Sequence, residues 1–196
     1  IQRDIQRLLL IKSIVGENVK ITADANEAWT WETALYSLEA IEKRGIKLEY
    51  IEDPLPHTDI KGFSALTKRS SIPIIGHDYI NNFVALKRLV EEGGLQGIRT
   101  GKDIDYSLKC INLARANGIA VYLGNSIFEM NAHLALAFDE VDRTEFSFLK
   151  PNELLKSPIE FKNGNIVAPK NSGHGLYPIL SKMNQYSEIE ILKTEL

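Results

Sequence analysis

A single cysteine, Cys110, in 196 residues leaves no internal disulfide and no cysteine-rich metal centre, which fits a reducing compartment. No apolar run approaches the ~20 residues of a membrane-spanning helix. Charge of one sign is also missing: 23 Lys and Arg against 26 Asp and Glu leave −3 with histidine neutral, and no basic cluster stands out. That argues against nucleic acid or an acidic membrane surface as partner. A glycine-rich phosphate loop is absent too, which weakens an open, doubly wound nucleotide-binding sheet as the architecture. The opening Ile1-Gln2-Arg3-Asp4 resembles neither a signal peptide nor an initiator segment, so the chain is expected to be cytoplasmic and to begin mid-protein. What is present is ordinary for a globular fold: 44% apolar and 25% charged positions, enough for one sizeable core.

Short β-rich runs alternate with amphipathic helical stretches, the pattern of βα units around a parallel sheet. Strands are expected at residues 19–24, 48–52, 72–75, 95–99, 119–123 and 146–149. Landmarks near their ends, Asp24, Glu52, Asp78, Arg99, Leu123 and Phe148, are 28, 26, 21, 24 and 25 residues apart, one strand, one helix and two loops per step. Thr30 is placed to cap a helix with Trp31, Ala34, Leu35, Leu38 and Ile41 on one face, followed by Gly45. Phe83, Leu86, Leu89 and Val90 mark another, stopped by Gly93-Gly94; Ile104, Leu108, Ile111 and Ala114 mark a third, capped by Asp103 or Asp105 and stopped by Gly118. A first helix over about 4–15 precedes the first strand. A closed eight-stranded barrel needs about 250 residues, so the expected fold is α/β: an incomplete (β/α) TIM-like barrel of about six strands, two strands short, with a turn-rich tail over one edge or end.

Three acids stand at or just past successive strand ends: Asp24 in Thr22-Ala23-Asp24-Ala25-Asn26, Glu52 in Tyr50-Ile51-Glu52-Asp53-Pro54, and Asp78 in Ile75-Gly76-His77-Asp78. In parallel βα architecture these ends share one rim, where three carboxylates would repel unless a hard divalent cation, Mg²⁺ or Mn²⁺, joined them. Any one of them alone would read as a loop acid or a helix cap.

These runs together resemble the metal-binding signature of the enolase superfamily, in its mandelate racemase and muconate lactonizing branch. The resemblance extends through Leu113-Ala114-Arg115-Ala116-Asn117-Gly118-Ile119 to Asn125-Ser126-Ile127-Phe128-Glu129, and covers roughly residues 1–176, leaving 177–196 as a tail. It implies an enolase-type C-terminal barrel whose capping domain and first barrel strands lie upstream. It also implies a Mg²⁺-dependent isomerase or lyase that removes the proton α to a small-molecule carboxylate through a metal-stabilised enediolate, as racemases, epimerases, cycloisomerases, synthases and dehydratases do. Metal ligands would be Asp24, Glu52 and Asp78; Asn26, Asp53, His77, Ser126 and Glu129 would serve substrate or the metal's surroundings. A homo-oligomer is expected.

Three departures from the family pattern matter. The Lys-x-Lys motif would precede Ile1 and is not in this chain. The usual sixth-strand lysine falls on Gly97, leaving Lys102 as candidate base and Arg99, on the same strand face as Gly97, as a permanently charged clamp. Ser147 and Leu149 stand where dipeptide epimerases carry an ammonium-binding Asp-x-Asp, which argues against a dipeptide substrate. The third ligand lies one residue earlier in part of the subgroup, at His77 here, although a hard cation favours Asp78. A non-catalytic metal- and ligand-binding relative that has lost the opposing base is the alternative.

Overall fold

The computed structural model describes residues 1–101, 103–124, 128–146, 152–163, 165–167, 173–175 and 177–184. After helix α1 (Gln2–Val15), strands β1 (Ile21–Asp24), β2 (Leu48–Glu52), β3 (Ile74–Gly76), β4 (Gly97–Thr100), β5 (Ala120–Leu123) and β6 (Val141–Thr144) alternate with α2 (Trp31–Lys43), α3 (Ile60–Thr67), α4 (Phe83–Glu91), α5 (Ile104–Asn117) and α6 (Phe128–Ala137). All neighbouring strands are parallel and follow chain order, so each connection is a single βαβ crossover. The sheet curls. Arg143 on β6 donates to Glu49 on β2 at 2.8 and 2.9 Å, although a flat sheet would hold strands four places apart roughly 19 Å from each other. The architecture is thus the expected incomplete barrel.

Its two faces follow from strand alternation. Ile51, Ile74, Ile98 and Val121 join Leu38, Phe63, Leu66, Leu86 and Ile111 of the helices in one buried core. The opposite, concave face carries the register row Asp24, Glu52, Ile75 and Gly97, and further round Arg99, Tyr122 and Arg143. The expected caps form. Thr30 accepts from the Thr33 N–H and Asp103, rather than Asp105, from the Tyr106 N–H, while Gly118 takes the left-handed turn (φ 65°) that ends α5.

One strand differs from expectation. The sixth described strand is Val141–Thr144; of the expected 146–149, Phe146 lies beyond it and 147–149 fall outside the described residues. Its sequence, Val-Asp-Arg-Thr, has one apolar residue in four, which suits an edge strand with Asp142 exposed and Arg143 turned inward but hides it from a search for apolar runs. The tail forms a small hairpin, β7 (Phe161–Lys162) with β8 (Asn165–Ile166). Phe161 stacks on Phe128 of α6 with ring centroids 5.8 Å apart and meets Phe146 edge-on, so this tail segment packs against the start of α6 and the residues just past β6.

Candidate active site at the strand ends

The ladder continues past the strands and locks the loops that bear the acids. Ala25 donates to the Glu52 carbonyl at 2.9 Å and Asp53 to the Ile75 carbonyl at 3.1 Å, so the strand ends that carry Asp24 and Glu52 are held in register. The Asn26 N–H donates to Asp24 Oδ1 at 2.8 Å, closing a tight turn in which Asn26 and Glu27 take left-handed backbone (φ 49° and 57°). Asp53 does the same at φ 46°. Such conformations are costly for residues with a Cβ and concentrate where geometry is imposed for a purpose.

Asp24, Asn26, Glu52, Asp53, Asp78, Tyr79, Arg99 and Glu145 line one pocket of about 180 Å³. Every one is polar. The Arg99 guanidinium lies between Glu52 (Nε to Oε1, 3.0 Å) and Glu145 (Nη2 to Oε2, 2.5 Å), and packs so closely over Gly124 that a Cβ there would fall on it. Burial, with help from Asp53, Asp24 and Asp78 and against the pull of Arg99, pushes the Glu52 carboxyl up to about 7. Burial likewise raises Asp53, opposed by His77. Arg99 is buried as well, which disfavours its charge, yet Glu52 and Glu145 hold it above the ordinary arginine value.

The donor set fits a hard divalent cation: carboxylates at the ends of successive strands crowd one pocket, and burial, with neighbouring carboxylates adding to it, drives Glu52 toward its neutral form. Among the described residues, however, no three His, Cys, Asp or Glu side chains close on a common point as a formed ligand shell. Glu52 is turned to Arg99, so a cation would have to compete with the guanidinium for it.

The sequence candidates divide accordingly. Asp24, Glu52, Asp78, Asn26, Asp53 and Arg99 meet at the pocket. His77 does not line it; its ring is fully buried behind the rim, with Nδ1 3.1 Å from Asp53 Oδ1. Glu129 is buried in the first turn of α6 and is not among the lining residues. Lys102 and Ser126 lie outside the described residues. At Gly97 an added Cβ would stand 2.6 Å from Tyr122 Cε2 and 2.8 Å from Ile75 Cγ2, so aromatic and aliphatic carbon fill the space where a base would extend.

Four residues were missed by sequence reasoning. Tyr79, next to Asp78, donates from its hydroxyl to Asn26 Oδ1 at 3.0 Å, bridging two loops at the pocket mouth. Glu145 immediately follows β6, and placing that strand too late hid it. Glu27 and His57 pair through the imidazole at 2.7 Å across 30 residues, a contact with no sequence signal.

The enolase C-terminal domain-like family model matches residues 1–179. The chain belongs to this family. An arabinonate dehydratase from Saccharolobus solfataricus is 32% identical over 187 residues, 89% of this chain and 49% of the relative. An L-amino acid-D/L-Glu epimerase from Francisella philomiragia is 27% identical over 180 residues, 86% of this chain and 50% of the relative. Among solved structures of the enolase-like fold, an L-talarate dehydratase from Polaromonas sp. JS666 complexed with Mg and L-glucarate superposes with a TM-score of 0.78 at 26% identity, over 90% of this chain and 48% of the neighbour. The chain therefore spans about half the length of the curated relatives it matches. Its relatives within the family are dehydratases and epimerases, enzymes of the isomerase and lyase type.

Proposed function

We propose that this chain supplies the metal- and substrate-holding rim of an isomerase or lyase that removes the proton α to the carboxylate of a small, polyhydroxylated acid. One observation carries the reading: Asp24 and Glu52, which end β1 and β2, and Asp78, just past β3, share a wholly polar pocket with Arg99. Asp24, Glu52 and Asp78 would hold Mg²⁺, with Mn²⁺ as substitute. When bound, such a cation stabilises negative charge developing on the substrate carboxylate, worth several kcal/mol where water is excluded.

The other side chains have roles that follow from their chemistry. Arg99 keeps its proton and is not the base; it binds an anionic or hydroxylated part of the substrate and offsets charge that develops there. Asn26 and Tyr79, already joined, offer their remaining donor and acceptor positions to substrate hydroxyls. The polar lining, Ser147 and Leu149 in place of an ammonium-binding pair, and the similarity to an arabinonate dehydratase favour a sugar acid over a dipeptide.

Gly97 favours a second reading, a non-catalytic protein that binds metal and ligand, because Tyr122 and Ile75 occupy the space of a second base. Titration calorimetry with Mg²⁺ and α-proton exchange in D₂O decide between them, on this chain and on any longer polypeptide that carries it. Mg²⁺ affinity should fall at least about tenfold in Glu52→Gln, since even residues behind metal ligands are worth 10–100-fold. Mg²⁺-dependent exchange on sugar acids supports the enzyme. Unchanged affinity in Glu52→Gln would refute the ligand assignment, and tight Mg²⁺ binding without exchange across sugar acids and dipeptides would select the non-catalytic reading.

A further inference from the structure

Beside the three acids lies a layer of ionisable groups that the proposed chemistry does not use and that meets the pocket at Asp53. The Glu27 carboxylate, from the β1–α2 loop, accepts from both the backbone N–H and the Nδ1 of His57, in the β2–α3 loop, at 2.9 and 2.7 Å. The same oxygen lies 3.4 Å from Nδ1 of His77, in the β3–α4 loop, and that nitrogen is 3.1 Å from Asp53 Oδ1. One carboxylate oxygen and one imidazole nitrogen thus bring together the three loops that follow β1, β2 and β3, two of them leaving directly from Asp24 and Glu52 and the third carrying Asp78.

Burial makes this arrangement consequential. His77 has no exposed surface, its ring meets Phe63 edge-on with centroids 5.3 Å apart, and neither ring nitrogen makes a formed hydrogen bond among the described residues, Nδ1 lying at ion-pair distance from Asp53 and Glu27. An imidazole that packed for volume alone would be better replaced by an apolar ring, because a buried polar atom without a partner is costly. Asp53 is pressed against Gly76, where a Cβ would collide with its Oδ1, so the Asp53 carboxylate packs directly on the backbone that leads into His77 and Asp78. The Glu27 N–H also donates to the Asp53 carbonyl at 2.7 Å, tying the loops by main chain beside the side-chain link. His57 and Phe63 brace His77 from two sides, with the His57 ring 5.9 Å away.

We propose that Glu27 and His77 are positioning residues: their contact, braced by His57 and Asp53, sets the relative placement of the three carboxylate-bearing loops and thereby the affinity for the divalent cation. The inference rests on the metal reading above. Groups behind metal ligands that orient them characteristically change affinity by 10–100-fold when removed, whereas a contact serving only stability changes the melting temperature and leaves the affinity of the folded protein alone.

The test measures Mg²⁺ affinity by calorimetry, Mn²⁺ affinity by electron paramagnetic resonance, and the thermal midpoint without metal, for wild type and for Glu27→Ala, Glu27→Gln, His77→Phe and Glu52→Gln. Glu27→Ala and His77→Phe should each bind both cations on the order of tenfold more weakly while still unfolding cooperatively. Glu27→Gln retains an acceptor for both His57 donors and should recover most of the affinity. His57→Ala, further from the pocket, serves if Glu27→Ala does not fold, with a smaller loss expected in the same direction. Wild-type affinity in folded Glu27→Ala and His77→Phe, with affinity lost in Glu52→Gln, would overturn the positioning role and leave the metal site standing. Full affinity in Glu52→Gln would overturn both.

Discussion

Glu52 carries the sharpest consequence of the crowded rim. Its carboxyl titrates near 7 in the folded chain against an ordinary value of 4.5, with burial the largest cause. The folded state therefore keeps a proton that the unfolded state has released between roughly those two values, and stability falls as pH rises through that window. The ceiling is about 3 kcal/mol, since one unit is worth 1.36 kcal/mol. Thermal melts without divalent ions should show the wild-type midpoint dropping further than that of Glu52→Gln between pH 5 and 8, and parallel curves would contradict it. Added Mg²⁺ favours the carboxylate and should flatten the wild-type curve. Asp24, Glu52 and Asp78 were legible in the sequence because each ends a strand or follows one closely. Glu27 and His57 were not, because their contact exists only once two loops 30 residues apart are brought together.

At the scale of single elements, capping and close packing set the costs. Asp103→Ala removes the side-chain acceptor for the Tyr106 N–H at the start of α5 and should lower stability by about 1 kcal/mol in urea unfolding. Gly97→Ala should cost more, about 1–3 kcal/mol, because its Cβ would stand 2.6 Å from the Tyr122 ring in a packed interior. By the same contact, Gly97→Lys should not create a working second base; a gain of α-proton exchange in that variant would show that Tyr122 yields. Most helices were readable from their apolar stripes and end signals. Neither α3 nor α6 is singled out by them, and β6, an outer strand among the described residues with an inward arginine, has no apolar run to mark it.

Across the whole molecule, β1 and β6 are the two outer strands of the curled sheet, and neither has a neighbour on its far side among the described residues. Unpaired edges are templates for association. Chromatography with light scattering should find the isolated chain self-associated or bound to another segment that completes the sheet; a monodisperse 22.0 kDa monomer would contradict this. By itself the sequence determined the parallel βα order, the incomplete barrel and the acids that end its strands, because these depend on local periodicity, turn residues and strand parity. Tertiary structure alone decided that Arg99 bridges Glu52 and Glu145 and that Glu27 and His77 come together beside the pocket. Those contacts join residues 46 to 50 positions apart, and their distances follow from sheet curl and loop packing, which no local pattern encodes.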